Sequence, residues 1–184
     1  MSIRYPEIGI CGLSCRLCPA YHAGETRWCD GCKREKRMKV GCPFITCALK
    51  KKGIEFCWDC DEQNECERWL KHRSYGKNAD SFKCYQTLEK DIAFTLHSGV
   101  AAFEQEQKER ERILTAMLQE FNEGRSKRYY CIAATVMEKE ELKRALTQAK
   151  TQSKGLDLKA KAKVLHVILD DIAKKKGYQF HLRK

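Results

Sequence analysis

The chain has 184 residues, of which 42% are hydrophobic and 33% charged, with a formal net charge of +11 when histidines are neutral. That length suits one ordinary domain, or a small metal-stapled module joined to a second small domain. The longest uncharged apolar stretches, such as Ile132 to Met137 and Val164 to Leu169, fall far short of the roughly 20 residues a spanning helix needs.

Met1 to Ala20 lacks a basic flank followed by an apolar run, so no secretory signal is expected and the expected location is cytoplasmic, with no membrane partner. Thiols stay reduced in that compartment, and dense cysteine spacing there points to metal or redox chemistry rather than disulfides. The positive charge is spread over both halves. Two zinc ions, each held by four thiolates as a site of charge −2, would lower it to about +7. A basic surface favours encounters with nucleic acid or other polyanions, with a solvated lysine-rich surface as the alternative.

Residues 1–75 form the first expected unit. Eleven of the twelve cysteines lie between Cys11 and Cys84, and all three prolines and all three tryptophans fall in the first 69 residues. Glycines from Gly9 through Gly24 to Gly53 break it further, so the segment reads as loop-rich, with too little apolar surface to fold alone. A structural zinc site supplies on the order of 10 kcal/mol, comparable with the net stability of a domain.

The spacings suit chelation. Cys15-x2-Cys18, Cys29-x2-Cys32, Cys42-x4-Cys47 and Cys57-x2-Cys60 form four pairs. A two-residue gap in a tight turn lets both sulfurs face one tetrahedral ion, and a four-residue gap also serves. Four pairs make two four-thiolate sites, either stacked as zinc-ribbon-like units or cross-braced. Cys11 and Cys66 remain over, so the expected ligands are Cys11, Cys15, Cys18, Cys29, Cys32, Cys42, Cys47, Cys57, Cys60 and Cys66, holding two or three Zn2+ ions. His22, His72 and Cys84 are further candidates.

Cys11-x3-Cys15-x2-Cys18 is also the spacing with which radical-SAM enzymes hold a [4Fe–4S] cluster, and Cys18-Pro19 echoes ferredoxin motifs. An iron–sulfur or metal-dependent enzyme using those three cysteines is therefore the alternative. Against it, no βαβ alternation follows to build the barrel such enzymes need. Between the pairs, Lys33 to Lys39 and Lys50 to Lys52 are cationic, and Trp28, Phe56 and Trp58 lie close by in sequence. That combination suits phosphate contacts with base stacking, or an ordinary exposed loop.

Residues 76–184 read as a helical domain. Helices are expected from Ser81 to about His97 (Tyr85, Leu88, Ile92 and Leu96 inward) and around Glu104 to Glu123 (Ile113, Leu114, Met117, Leu118 and Phe121), the latter ended by Gly124. Tyr129 to Met137 fits a helix or a strand, and helix is preferred. Glu138 to Lys150 and Leu158 to Lys176 are further helices, the last stopped by Gly177. Tyr178 to Leu182 alternates like a short strand. Cys131, behind the cationic Arg125, Lys127 and Arg128, is either a reactive thiol or a buried small hydrophobe. The expected fold is a small metal-stapled cysteine-rich module followed by a mainly α-helical domain with little β. No catalytic constellation is recognisable, so interaction with nucleic acid or a protein is expected rather than an enzyme.

Several segments resemble a family of small cysteine-rich microbial proteins known only as a domain of unknown function. They are Ile10-Cys11-Gly12-Leu13-Ser14-Cys15-Arg16-Leu17-Cys18-Pro19-Ala20-Tyr21, Trp28-Cys29-Asp30-Gly31-Cys32, Cys42-Pro43-Phe44-Ile45-Thr46-Cys47 and Gly53 to Cys60. Glu120 to Lys127 resembles the longer members. The resemblance implies binding of zinc or a related metal and carries no reaction with it. One departure is that Asn64-Glu65, rather than a Phe-Pro pair, precedes Cys66.

Overall fold

The computed structural model describes residues 3–23 and 29–184, so Gly24 and Trp28 lie outside the described residues. The described residues are mostly helical and contain no β-strand. None of their helices is long and apolar enough to cross a membrane. The chain divides into two compact units, residues 1–107 with 183–184, and residues 108–182.

The first unit opens with a tight hairpin in which Ile8 and Ser14 form an isolated antiparallel bridge. Gly9 N–H donates to Leu13 O (2.8 Å) and Cys15 N–H to Glu7 O (2.7 Å). At its tip Gly12 has φ +90°, and a side chain there would meet Leu88, Trp58 and Ile92 within 3.3 Å. Glycine is therefore required twice, for the left-handed backbone and for the close approach. The core beneath joins Ile8, Leu13, Phe56, Trp58, Trp69, Leu88, Ile92 and Phe103.

The cysteine-rich segment is more helical than its punctuation suggests. It holds α1 (Glu35–Val40), a π-helical segment (Ile45–Lys52), a 3-10 turn (Cys57–Asp59) and α2 (Glu67–Asn78), which packs on α3 (Leu88–Ser98). In α2 only Trp69 and Gly76 are buried, too few to show a 3.6-residue period. Helix α3 begins later than expected. Asp80 accepts a hydrogen bond from Tyr85 N–H, and Thr87 Oγ1 donates to Asp91 at 2.8 Å, so Ser81 to Thr87 remains a loop. Leu96, expected inward, is exposed, and Thr95 takes the buried position.

Helix α4 (Val100–Phe121) runs from the first unit into the second. The second unit adds α5 (Lys127–Val136), α6 (Lys139–Gln152) and α7 (Leu158–Lys176). Its core takes Leu114, Met117 and Phe121 from α4, Tyr130 to Ala134 from α5, Leu142, Ala145 and Ala149 from α6, and Leu165 and Leu169 from α7. The Tyr129 to Met137 ambiguity resolves as helix. Asp157 caps α7 by accepting from Ala160 N–H at 2.8 Å, and Gly177 ends it with φ +75°. Tyr178 to Leu182 forms no strand. Tyr178 OH donates to Glu141 at 2.8 Å and Phe180 is buried, so alternation there reflects anchoring and not strand pairing.

Candidate metal centre

The hairpin fixes three sulfurs. Cys11 sits beside Gly12 at the tip, and Cys15 follows at the end of the returning arm. Cys18 closes a turn in which its N–H donates to Cys15 O at 3.0 Å. Cys15 and Cys18 are buried, whereas Cys11 is half-buried. The second pair arrives at the same place. Cys32 N–H donates to Cys15 Sγ at 3.3 Å, and the two sulfurs hydrogen-bond to each other. Gly9 leaves room between Cys11 and Cys32, since a side chain there would stand 3.5 Å from Cys11 Sγ and 3.8 Å from Cys32 Sγ.

Lys83 faces this sulfur group, with its ammonium donating to Cys32 Sγ at 3.7 Å. Burial works against its charge, but Cys32 and then Cys15, Cys18 and Cys11 hold the ammonium well above its ordinary value. Cys32 is drawn down by the Cys15 hydrogen bond and by Lys83, while that same bond and burial push Cys15 up. Burial, reinforced by Cys32, raises Cys11 to about 11.

A second sulfur group centres on Cys57, whose N–H donates to Ile10 O at 3.1 Å. Burial and the neighbouring Cys11, Cys66, Cys47 and Cys60 push it up to about 12. The 3-10 turn gives the Cys57-x2-Cys60 spacing, with Cys60 N–H donating to Cys57 O at 3.3 Å. Cys66 is the residue immediately before α2, and Cys47 lies in the π-helical segment. Cys42 and Cys47 line an open pocket of about 500 Å³ with Lys51 and Arg68. Lys52 Nζ donates to Cys60 Sγ at 3.3 Å and pairs with Glu62 at 2.7 Å on the surface.

All twelve thiols are free of disulfides. Of the ten expected ligands, Cys15 and Cys32 meet directly, Cys11, Cys47, Cys60 and Cys66 neighbour Cys57, and Cys42 neighbours Cys11. Cys29 is buried.

Residues 7–71 match a family model described as "Protein of unknown function (DUF3795)". The matched segment holds all ten expected ligands and ends before α3. No curated protein and no solved structure gives a significant match.

Among the described residues no three His, Cys, Asp or Glu side chains converge in a geometry that could hold a metal ion. Free thiols from separate loops, Cys15 and Cys32, nonetheless lie beside the Lys83 ammonium. The two histidines differ. His22 Nε2 is bonded to Arg16 O. His72 is ringed by Phe44, Trp69 and Tyr85, with Nε2 partnerless, and burial lowers its pKa. Cys84 is pushed up to about 12 by burial, away from reactivity. Cys131 lies in the core of the second unit at 1% exposure, as a small hydrophobe would.

Of the three aromatic residues expected to stack on bases, Trp28 lies outside the described residues and the other two are interior. Phe56 and Trp58 are buried and stack on each other with centroids 4.4 Å apart. Lys33, read as part of a cationic loop, is also buried. Its ammonium meets Glu55 at 3.0 Å and lies 3.7 Å from the Phe56 ring centroid. Lys50, Lys51 and Lys52 are exposed. Nothing in the local sequence marks Lys83 beyond its place beside Cys84, because its contact with Cys32 spans 51 residues and exists only after folding.

Proposed function

We propose that the first unit is a zinc-binding module serving interaction with nucleic acid or a protein rather than catalysis. The observation that carries the reading is the approach of Cys32, from a separate pair, to Cys15, with the Cys11 and Cys32 sulfurs both beside Gly9 and all three thiols free. One ion draws its four thiolates from Cys11, Cys15, Cys18, Cys29 and Cys32. The other draws on Cys42, Cys47, Cys57, Cys60 and Cys66. The Cys15–Cys32 bond and the Cys47–Cys57 proximity favour this sequential pairing over a cross-braced one. Zinc supplies tetrahedral cross-links between loops that are far apart in sequence. The exposed Lys50 to Lys52 run is the proposed contact for an anionic partner.

Chelation tests this reading. Stripping metal at neutral pH under reducing conditions is expected to expose Trp58 and Trp69, seen as a red-shifted and quenched tryptophan emission. Most of the helical circular dichroism from α4 to α7 should survive, and added zinc should reverse the change. Unchanged emission in protein verified free of metal would overturn the proposal.

A further inference from the structure

The even division of positive charge between the two halves of the chain conceals a concentration within the second unit. Residues 142–169 carry seven basic side chains and one acidic one, Asp157, which leaves a net +6 of the chain's +11. They form most of α6, the turn after it and the first three turns of α7, and α6 packs against α7. Lys143 and Lys150 have carboxylate partners in Glu140 and Glu120. Among the described residues no carboxylate pairs with Arg144, Lys154, Lys159, Lys161 or Lys163. Four of these five are exposed, and Lys161 is half-buried. Helix stability does not explain them. Helix α6 follows the helix dipole, with Glu140 and Glu141 in its first turn and Lys150 in its last. Helix α7 instead starts with Lys159 and Lys161 and has no acidic residue in its first turn. Cations at that end oppose the dipole, and Lys159 and Lys163, four residues apart, repel each other.

We propose that this face of the second unit binds the phosphate backbone of a nucleic-acid duplex without reading base sequence. Arg144, Gln148 and Gln152 recur every fourth residue on the exposed side of α6, and Lys159 and Lys163 do so on α7. Each helix thus offers a row of N–H donors about 6 Å apart. Such donors contact phosphate and sugar oxygens, which position a duplex and carry no sequence information. A helix docked on an anionic bilayer would align an apolar stripe beside its lysines. Here the exposed Leu158 and Val167 stand nine residues apart on α7, about half a turn out of register, and Leu156 lies in the turn. The segment's one aromatic ring, His166, is stacked on Tyr129 with centroids 4.1 Å apart. Unpaired bases therefore find no stacking platform, which favours a duplex over a single strand. The contact is separate from the Lys50 to Lys52 run and requires no bound metal.

Fluorescence anisotropy of the full chain with labelled double-stranded DNA and double-stranded RNA oligonucleotides, titrated at rising salt, tests this. On DNA the log of the association constant is expected to fall with the log of salt concentration at a slope of about −4 or steeper, near −0.9 for each of the five unpaired cations. Lys159→Gln combined with Lys163→Gln should make the slope shallower by about 2 and weaken binding to every sequence alike, without lowering the thermal midpoint. Lys174→Gln combined with Lys175→Gln, an equal change of charge at the other end of α7, should leave the slope as it is. Binding to either duplex, or to both, with this pattern sustains the proposal. A slope that the first double variant leaves unchanged overturns it and returns any binding to the first unit. Equal losses in the two double variants also overturn it, as an effect of net charge alone. So do a single-stranded oligonucleotide bound as tightly as the duplex, and sedimentation with phosphatidylserine vesicles in the absence of duplex binding. None of these outcomes bears on the metal reading, which chelation tests separately.

Discussion

Glu55→Ala is expected to destabilise the first unit by about 3–5 kcal/mol, because it strands a buried lysine without its anion. The Lys33 side chain is fully buried and Glu55 is 6% exposed. Glu55 also anchors the chain before the hairpin, accepting from Tyr5 N–H at 2.8 Å and Arg4 N–H at 3.2 Å. Lys33 adds a bond to Tyr5 O at 3.2 Å. Burial alone would raise the Glu55 carboxyl, but the Tyr5 N–H and the Lys33 ammonium outweigh it and hold it below the usual range. Urea denaturation followed by tryptophan emission reads this unit selectively, since all three tryptophans belong to it. The double replacement Lys33→Met with Glu55→Leu should recover most of the loss, because it removes both charges together. A single-mutant loss below about 1 kcal/mol, the worth of a surface pair, would show that the pair is solvated in solution.

The second large effect concerns the C-terminal clasp. Asp80 is buried and accepts from Arg183 N–H at 2.7 Å, from Arg183 Nε at 3.2 Å and from Tyr85 N–H. The Arg183 guanidinium donates onward to Gly76 O and Lys77 O, each at 2.8 Å, near the end of α2. Burial opposes the Asp80 charge, but Arg183 and the two N–H groups overcome it and hold the carboxyl below its ordinary value. A depressed folded pKa means stability that is fully present above the unfolded carboxylate value near 3.9 and is lost as pH falls through the folded value. Asp80→Asn should therefore cost about 2–3 kcal/mol at pH 7, the worth of hydrogen bonds to a charged group. The difference between wild type and Asp80→Asn should shrink towards zero as pH falls below about 4, where the acid resembles the amide. Any metal lost at low pH is lost from both proteins and cancels in the difference. A gap that stays constant down to pH 2.5, or never appears, would contradict an ionised Asp80.

How much was legible in the sequence depended on whether apolar spacing carried the fold. Helices α6 and α7 stand where the 3.6-residue period of Leu142, Ala145 and Ala149 and of Ala162, Leu165 and Leu169 puts them. Helix α2 was invisible because Trp69 does most of its burying alone. The late start of α3 depends on Asp80 and on Arg183 about a hundred residues away, which no local window contains. The sulfur neighbourhoods follow the same division. Pair spacing marked eight of the ten cysteines, but only folding shows that Cys15 meets Cys32, that Lys83 faces them, and that Phe56, Trp58 and Lys33 are interior groups. The fold thus takes Phe56 and Trp58 out of the expected nucleic-acid contact and into the core.

Metal analysis of the full chain purified anaerobically without added chelator tests the central claim most directly. The account predicts about two zinc ions per chain, no visible absorption, and protection of the thiols from alkylation until metal is removed. A metal-free chain with all its thiols open to alkylation would contradict it, and so would a brown protein absorbing near ~400 nm with bound iron and sulfide.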